Sequence, residues 1–218
     1  MTSIVFNAMS LLALLLLPIG TVSAQKMKAV DLGLSIKWAP CNVGASSPEQ
    51  YGDYFAWGET AVKEDYSWKT LKYCGDAGGN SFTKYNSKER YGAVDNLVQL
   101  EPSDDAAHVM MKGKWRIPTK EEWKELKEKC TWEKTEVNGV KGYNVTGPSG
   151  KSIFLPSGGL KSNTSSVNAG VIGNYWSSTL YTSHPYSGYC IYFNSSGIYM
   201  DEESYRHYGL TIRAVSPK

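Results

Sequence analysis

The sequence predicts an α+β fold with small antiparallel sheets, two short helices and long structured loops. Three features indicate this class: a capped amphipathic helix that begins at Thr119, a hairpin signal at Asn138-Gly139, and a late set of short aromatic strands between Tyr175 and Val215. The hydrophobic period changes from helical to alternating after Cys130, which separates a helical part from a strand-rich part.

Residues 1–24 have the features of a secretory signal peptide. The apolar run Leu11–Leu17 is followed by Val22 and Ala24, the small residues expected before a cut at Gln25. The run is shorter than the roughly 20 apolar residues that span a bilayer. The first eight residues contain no Lys or Arg, so the usual basic start is missing, and a buried N-terminal helix is the alternative.

We therefore expect an exported protein in the periplasm, at the cell surface or outside the cell. After cleavage, the chain is predicted to have no transmembrane segment, a short N-terminal segment over residues 25–29 and one domain over residues 30–218.

The amino-acid composition limits the classes of binding partner that we expect. The 23 basic and 21 acidic residues include no basic block, so we expect no nucleic-acid partner. The 15 Tyr, 7 Trp and 21 Gly are typical of a turn-rich extracellular domain. Cys41, Cys74, Cys130 and Cys190 lack zinc or redox spacing. One or two disulfides remain open; we favour the alternative that several are small buried side chains.

The first half predicts two strands, a loop and a short helix. Hydrophobic residues alternate over Ala29–Ala39, which predicts a half-buried strand, and Asp53–Gly58 is an aromatic strand candidate. The glycine-containing stretch that follows, up to about Tyr91, predicts a long structured loop. Ser103–Ala107 has the polar cap of a short helix.

The clearest helix follows a strand stub at Lys114–Ile117. Thr119 and Glu122 have capping-box spacing, in which each side chain satisfies a backbone N–H near the other. One face of the helix carries Trp123, Leu126 and Cys130.

Strands are predicted over the rest of the chain. Asn138-Gly139 indicates a type I′ hairpin between the first two, and Ser157–Gly173 is small, polar and predicted to be a loop. The predicted strands are Thr131–Val137, Val140–Val145, Ile153–Pro156, Tyr175–Thr179, Gly188–Asn194, Ile198–Met200 and Leu210–Val215, the last of which closes the sheet.

A set of segments in a fixed order carries a family resemblance. They are Val30–Ala39, Cys41–Ala45, Tyr51–Glu59, Asp104–Ala107, Trp115–Trp123, Cys130–Trp132, Ile153–Pro156, Tyr175–Thr179 and Gly209–Val215. In these segments the chain resembles the Fibrobacter succinogenes major paralogous domain family, common in Bacteroidetes as exported proteins, over essentially the whole mature chain. The family has no established activity, so the resemblance places the chain without explaining it.

A second resemblance concerns mechanism. The segment from Arg116 to Trp123 is similar to a helix start in formylglycine-generating enzymes, which implies a C-type-lectin-like fold for this chain. Those enzymes use paired cysteines late in the chain, where this sequence has Cys190 alone. A related iron-dependent branch uses clustered histidines, whereas His108, His184 and His207 are dispersed. We therefore expect no catalytic residue, no metal and no cofactor.

Other catalytic patterns are weaker than their structural alternatives. Cys41 or Cys190 would need a lowered pKa to act as a nucleophile. Asp104 and Asp105 match no calcium loop, and acids at a helix N-terminus explain them better. Carboxylate pairs for glycoside hydrolysis meet only in space, and no candidate pair stands out.

An aromatic surface is the remaining feature. Exposed Tyr and Trp suit sugar faces or protein partners because they combine apolar area with a polar tip, although such residues also pack loops. In the strand Gly188–Asn194, Tyr189, Ile191 and Phe193 are expected inside and Tyr192 outside. The predicted ligand-binding residues are Tyr192, Tyr199, Asp201, Tyr205 and Arg206. The loops Ser157–Gly173 and Leu180–His207 are expected to bear the ligand.

The leading hypothesis is an exported, non-catalytic recognition domain whose ligand is a glycan or a surface or envelope protein. The first alternative is an enzyme, either a degenerate formylglycine-generating-type oxidase or an unrecognised hydrolase. The second is a structural component of a surface fibre or envelope complex. The sequence leaves the oligomeric state open.

Overall fold

The computed structural model describes residues 28–218 and confirms an α+β fold of small antiparallel sheets with two helices. The predicted signal peptide, residues 1–24, lies outside the described residues. In the described range, no helix has the length and apolar character to cross a membrane. The α-helices are α1 (Ala106–Met111) and α2 (Lys120–Lys129). The strands are β1 (Lys37–Trp38), β2 (Thr131–Val137), β3 (Val140–Thr146), β4 (Ser152–Pro156), β5 (Leu160–Ser162), β6 (Ser165–Val167), β7 (Gly173–Leu180), β8 (Ser187–Phe193), β9 (Ile198–Tyr205) and β10 (Val215–Ser216).

The predicted capping box of α2 is confirmed. Thr119 Oγ1 accepts a hydrogen bond from Glu122 N at 3.2 Å, and the Glu122 carboxylate accepts one from Thr119 N at 2.8 Å. Arg116 pairs with the same carboxylate at 2.5 Å. On the buried face, Trp123 Nε1 donates to Trp176 O at 3.1 Å, which attaches α2 to β7.

Two three-stranded antiparallel sheets, β2-β3-β4 and β7-β8-β9, form the body of the domain. The turn between β2 and β3 has Asn138 at φ 50° and Gly139 at φ 81°, as the type I′ hairpin prediction requires. The main core joins these sheets to α2 and includes Trp38, Trp123 and Phe193.

The N-terminal strand prediction is wrong over most of its length. The hydrophobic side chains of residues 29–39 are alternately buried, but only Lys37–Trp38 forms a strand. Gly33 has φ 85°, so the chain bends back and Val30 pairs with Trp38 through bonds of 2.8 and 2.9 Å. Asp53–Gly58 contributes a single bridge, between Phe55 and Leu210, rather than a strand.

Three C-terminal boundaries also differ from the prediction. The loop Ser157–Gly173 contains the small hairpin β5-β6, and β9 continues past Met200 to Tyr205. The segment Leu210–Val215 makes isolated bridges to several elements instead of one ladder. It is buried throughout, so its hydrophobic residues pack between elements without needing a continuous partner strand.

The predicted structured loop up to Tyr91 is confirmed, since it contains only short 3₁₀ turns and bridges. It surrounds a satellite core that includes Ala56, Tyr66, Leu71 and Phe82. This satellite core supports part of the candidate functional site.

Candidate functional site: an aromatic track

Eight aromatic rings form a continuous path across the β7–β8 connection and the end of β9. We call this path the aromatic track. The centroid distances from each ring to the next are 4.4, 4.1, 5.8, 5.8, 5.2, 5.5 and 4.7 Å. In order, the rings belong to Tyr208, His207, Trp68, Tyr205, Tyr186, His184, Tyr181 and Tyr189. Rings at these separations are in mutual contact, so they form one surface.

The surface is accessible along most of its length. Tyr205 is 45% exposed, and the other rings are half-buried except that of His207. A half-buried ring is fixed by packing on one side and open on the other. The track therefore combines order with exposure, which is the arrangement that an aromatic binding surface requires.

The buried side chain of Arg206 supports the track from the protein interior. It is 0% exposed, and its guanidinium donates to the backbone oxygens of Lys84, Tyr85 and Pro185 at 3.1–3.3 Å. The guanidinium also lies 4.8 Å from the centroid of the Phe82 ring. Burial without a carboxylate partner lowers the pKa of Arg206 to about 10. Arg206 thus fixes the β7–β8 connection against the long loop.

Trp68 reaches the track from that long loop. It begins a 3₁₀ turn and packs edge-on against Phe82 with centroids 6.0 Å apart. A Cβ on Gly79 would lie 2.7 Å from the indole of Trp68, so only glycine allows the backbone this close. The glycine-rich part of the loop therefore seats the indole.

Polar groups accompany the rings. No hydrogen bond within residues 28–218 engages the phenol oxygens of Tyr181, Tyr186, Tyr189 or Tyr205, so these hydroxyls are free to bond a ligand or water. The Glu203 carboxylate lies 3.2 Å from His184 Nδ1. An apolar ring face beside hydroxyl and carboxylate oxygens suits a molecule that has both C–H faces and hydroxyl groups.

His207 is the one buried ring of the track. It is 7% exposed, its Nδ1 has no hydrogen-bond partner among the described residues, and its ring lies 4.1 Å from that of Trp68. Burial is the main cause that lowers the pKa of His207 to about 4. The imidazole is therefore neutral at physiological pH and acts as an aromatic spacer.

A cleft of about 460 Å³ lies on the neighbouring surface. Its walls include Tyr54, Lys63, Tyr66 and Lys161. Two of these walls lie against Gly209, the residue after Tyr208, since a Cβ there would lie 2.6 Å from the ring of Tyr66 and 2.9 Å from Lys161 Cβ, so the cleft is beside that end of the track. Its volume falls in the range of small-ligand sites.

The structure separates the predicted ligand-binding residues into two groups. Tyr192 and Tyr199 pair across β8 and β9 with ring centroids 5.8 Å apart, and Tyr199 is 40% exposed. Ser187 pairs with Tyr205 at the other end of the same ladder. The two groups are therefore at opposite ends of the hairpin and do not make one compact site.

The other predicted residues have distinct positions. Asp201 is exposed on β9, in strand rather than in the loop that was expected. Arg206 was predicted to contact ligand, and this is wrong because the side chain is fully buried and its Nη1 and Nη2 groups donate to backbone oxygens. Tyr189, predicted to face the core, is half-buried and lies on the track, while Cys190 is buried; the ladder is irregular between Cys190 and Tyr192, so the simple alternation fails there.

Sequence reasoning missed Trp68. The available signal was the density of aromatic residues in a polar stretch without strand or helix period, between Tyr66 and Tyr91. Such rings need a packing partner, and here they support each other and the β7–β8 connection.

The cysteines are thiols without disulfides among the described residues. Burial raises the pKa of Cys41 and Cys190 and raises that of Cys130 to about 11. A nucleophilic cysteine needs the opposite shift. Within residues 28–218, no group of three His, Cys, Asp or Glu side chains is arranged to hold a metal ion.

The two aspartates considered for calcium have other roles. Asp105 caps α1 through His108 N at 3.0 Å and also accepts from Ile117 N at 2.8 Å. Asp104 is buried and receives bonds from two ammonium and two phenol groups, those of Lys72, Lys84, Tyr73 and Tyr85. Both carboxylates are therefore occupied by protein donors.

One family model matches part of the chain. A domain of unknown function, DUF8237, matches residues 124–215, a range that includes most of α2, both three-stranded sheets and all track rings except that of Trp68. No curated protein matches the chain, and no solved structure matches it.

Proposed function

We propose that the protein is an exported, non-catalytic recognition domain whose aromatic track binds a glycan. The observation that carries the proposal is the continuous path of accessible rings from Trp68 to Tyr189, with free phenol oxygens along it. Aromatic faces stack on the apolar faces of sugar rings, and the neighbouring Glu203 carboxylate accepts hydrogen bonds from hydroxyl groups. The predicted signal peptide supports export.

A glycan accounts for the surface better than a protein partner does. The core of a protein interface is fully desolvated on binding. Phenol hydroxyls buried there without hydrogen-bond partners would cost free energy. A hydroxyl-rich ligand gives the phenols of Tyr181, Tyr186 and Tyr205 partners of their own kind. A surface or envelope protein remains an outcome of the experiment below.

We also propose a C-type-lectin-like arrangement for residues 30–218, as the family resemblance implies. The small antiparallel sheets, the two helices and the long structured loop support it. In this arrangement the loops carry the ligand, since the sheets and α2 are occupied by the core.

A binding screen tests the function. The purified mature chain is tested against immobilised neutral and acidic polysaccharides and against envelope-protein extracts, together with the double variants Tyr186→Ala/Tyr205→Ala and Tyr192→Ala/Tyr199→Ala. We expect a polysaccharide to bind and the first double variant to lose that binding. Loss only in the second variant would move the site to the other end of the hairpin, and binding to proteins alone would replace the glycan proposal.

A further inference from the structure

The length of the aromatic track carries information about the ligand. One sugar ring stacks on one aromatic ring, so a single sugar would use a small part of the path from Tyr208 to Tyr189. The rings between them each contact the next at 4.1–5.8 Å. A ligand that used the whole surface would present a series of similar faces, as a linear polymer does.

The charged groups around the track oppose a negatively charged polymer. Glu203 lies beside the ring of His184, the sixth of the eight, at 3.2 Å, and β9 also exposes Asp201 and Glu202. At the Tyr208 end, Lys63 is paired with Glu59 at 2.9 Å, and Asp65 is the acid near His207. At the Tyr189 end, Lys120 lies over the ring, 4.4 Å from its centroid.

These charges decide between polymer classes. The cations Lys120 and Arg90 lie over the rings of Tyr189 and Tyr91, and the Tyr91 ring contacts Tyr186. The Glu203 carboxylate lies beside His184 on the track, where an anionic chain would meet like charge. A neutral chain meets no such penalty, and its hydroxyl groups bond the carboxylates and the free phenols.

We infer that the track binds a neutral, linear polysaccharide as an extended chain whose sugars contact the exposed parts of the rings from Trp68 to Tyr189. This inference rests on the proposed glycan recognition and adds the class of the ligand and its mode of binding. Affinity then depends on chain length, because a longer chain contacts more of the exposed rings. The Trp68–Tyr205 end and the Tyr181–Tyr189 end act as separate subsites of one surface.

Isothermal titration with defined oligosaccharides tests the inference. The probes are cello-, xylo-, manno- and laminari-oligosaccharides from the disaccharide to the hexasaccharide, with oligogalacturonates of equal length as the anionic arm. In the neutral series that binds, we expect the affinity to rise by about 2- to 10-fold for each added sugar until the track is filled. The oligogalacturonates are expected to bind more weakly at every length.

End variants locate the subsites. Tyr181→Ala/Tyr189→Ala is expected to lose most of the gain in affinity that chains longer than the disaccharide bring, because the rings at that end of the track are removed. Tyr181→Phe/Tyr189→Phe keeps the rings and is expected to retain most of that gain. Matching thermal unfolding and near-ultraviolet circular dichroism confirm that each variant is folded.

The outcomes separate the two proposals. If the disaccharide and the hexasaccharide bind equally well, or if the anionic series binds best, the extended neutral chain is wrong while glycan recognition stands. If the Tyr181/Tyr189 variant keeps the full length dependence, the track does not form the subsites. If no saccharide of any series binds, the proposed function itself fails.

Discussion

Replacing His207 with Phe is expected to remove a pH-dependent weakness of the fold. The folded-state pKa of His207 is lowered to about 4 from its ordinary value of 6.5. The unfolded chain therefore takes up a proton between these values while the folded chain does not, and stability falls as the pH falls through this window. At about pH 5 the cost is about 2 kcal/mol relative to neutral pH, and at about pH 4 it approaches 3 kcal/mol.

Phenylalanine keeps the ring that lies 4.1 Å from Trp68 and 4.4 Å from Tyr208, and it removes the unpartnered Nδ1. Urea unfolding of the wild type and of His207→Phe at about pH 7 and pH 5 measures the difference directly. We expect the variant to lose about 2 kcal/mol less than the wild type over this interval. Parallel losses in the two proteins would show that His207 titrates normally and that its burial has been misread.

Three further substitutions test the supports of the fold. Asp104→Asn removes a carboxylate that is 1% exposed and accepts four donors, so urea unfolding is expected to show a loss of about 3 kcal/mol; an unchanged midpoint would mean that the donors find other partners. Gly188→Ala places a Cβ 2.7 Å from Trp57 and is expected to cost about 2 kcal/mol, with a Ser187→Ala variant as the neighbouring control; equal stabilities would contradict the close packing. Thr119→Ala is expected to cost about 1 kcal/mol through loss of the cap of α2, and a cost no larger than that of an exposed control, Thr182→Ala, would argue that the capping box contributes nothing.

Local signals in the sequence were sufficient where a short motif determines the backbone. The Thr119–Glu122 capping box and the Asn138-Gly139 turn each depend on a few adjacent residues, and both are confirmed. The hairpin residues have the positive φ angles that a type I′ turn requires. Such elements are predictable because the chemistry that forms them is local.

The alternating hydrophobic pattern near the N-terminus of the domain did not predict the local backbone structure correctly. Leu32, Leu34 and Ile36 alternate with exposed residues as in a strand, yet they belong to a bent loop closed by the Val30–Trp38 bridge. An alternating pattern records which side chains reach the core, and a loop around a core produces the same pattern as a strand. The bend depends on a tertiary pairing that the sequence does not display.

The aromatic site shows the same limit. The region around Tyr205 was predicted as a binding face, but Trp68 and Arg206 were not placed correctly from the sequence. Trp68 joins the track across more than a hundred residues of chain. Arg206 has the composition of a surface residue, and only the positions of Lys84 and Pro185 explain its burial. Roles that depend on such long-range contacts require the structure.

The most direct test of glycan recognition by the track is the dissociation constant of a neutral hexasaccharide, measured for the wild type and for two double variants, one that removes Tyr186 and Tyr205 and one that removes Tyr192 and Tyr199. We expect Tyr186→Ala/Tyr205→Ala to weaken binding by about tenfold or more, since two ring contacts are lost. Tyr192→Ala/Tyr199→Ala removes the same number of half-exposed rings from the other end of the hairpin and is expected to leave binding near the wild-type value. Equal binding by the wild type and the Tyr186/Tyr205 variant would contradict the assignment of the aromatic track as the binding surface.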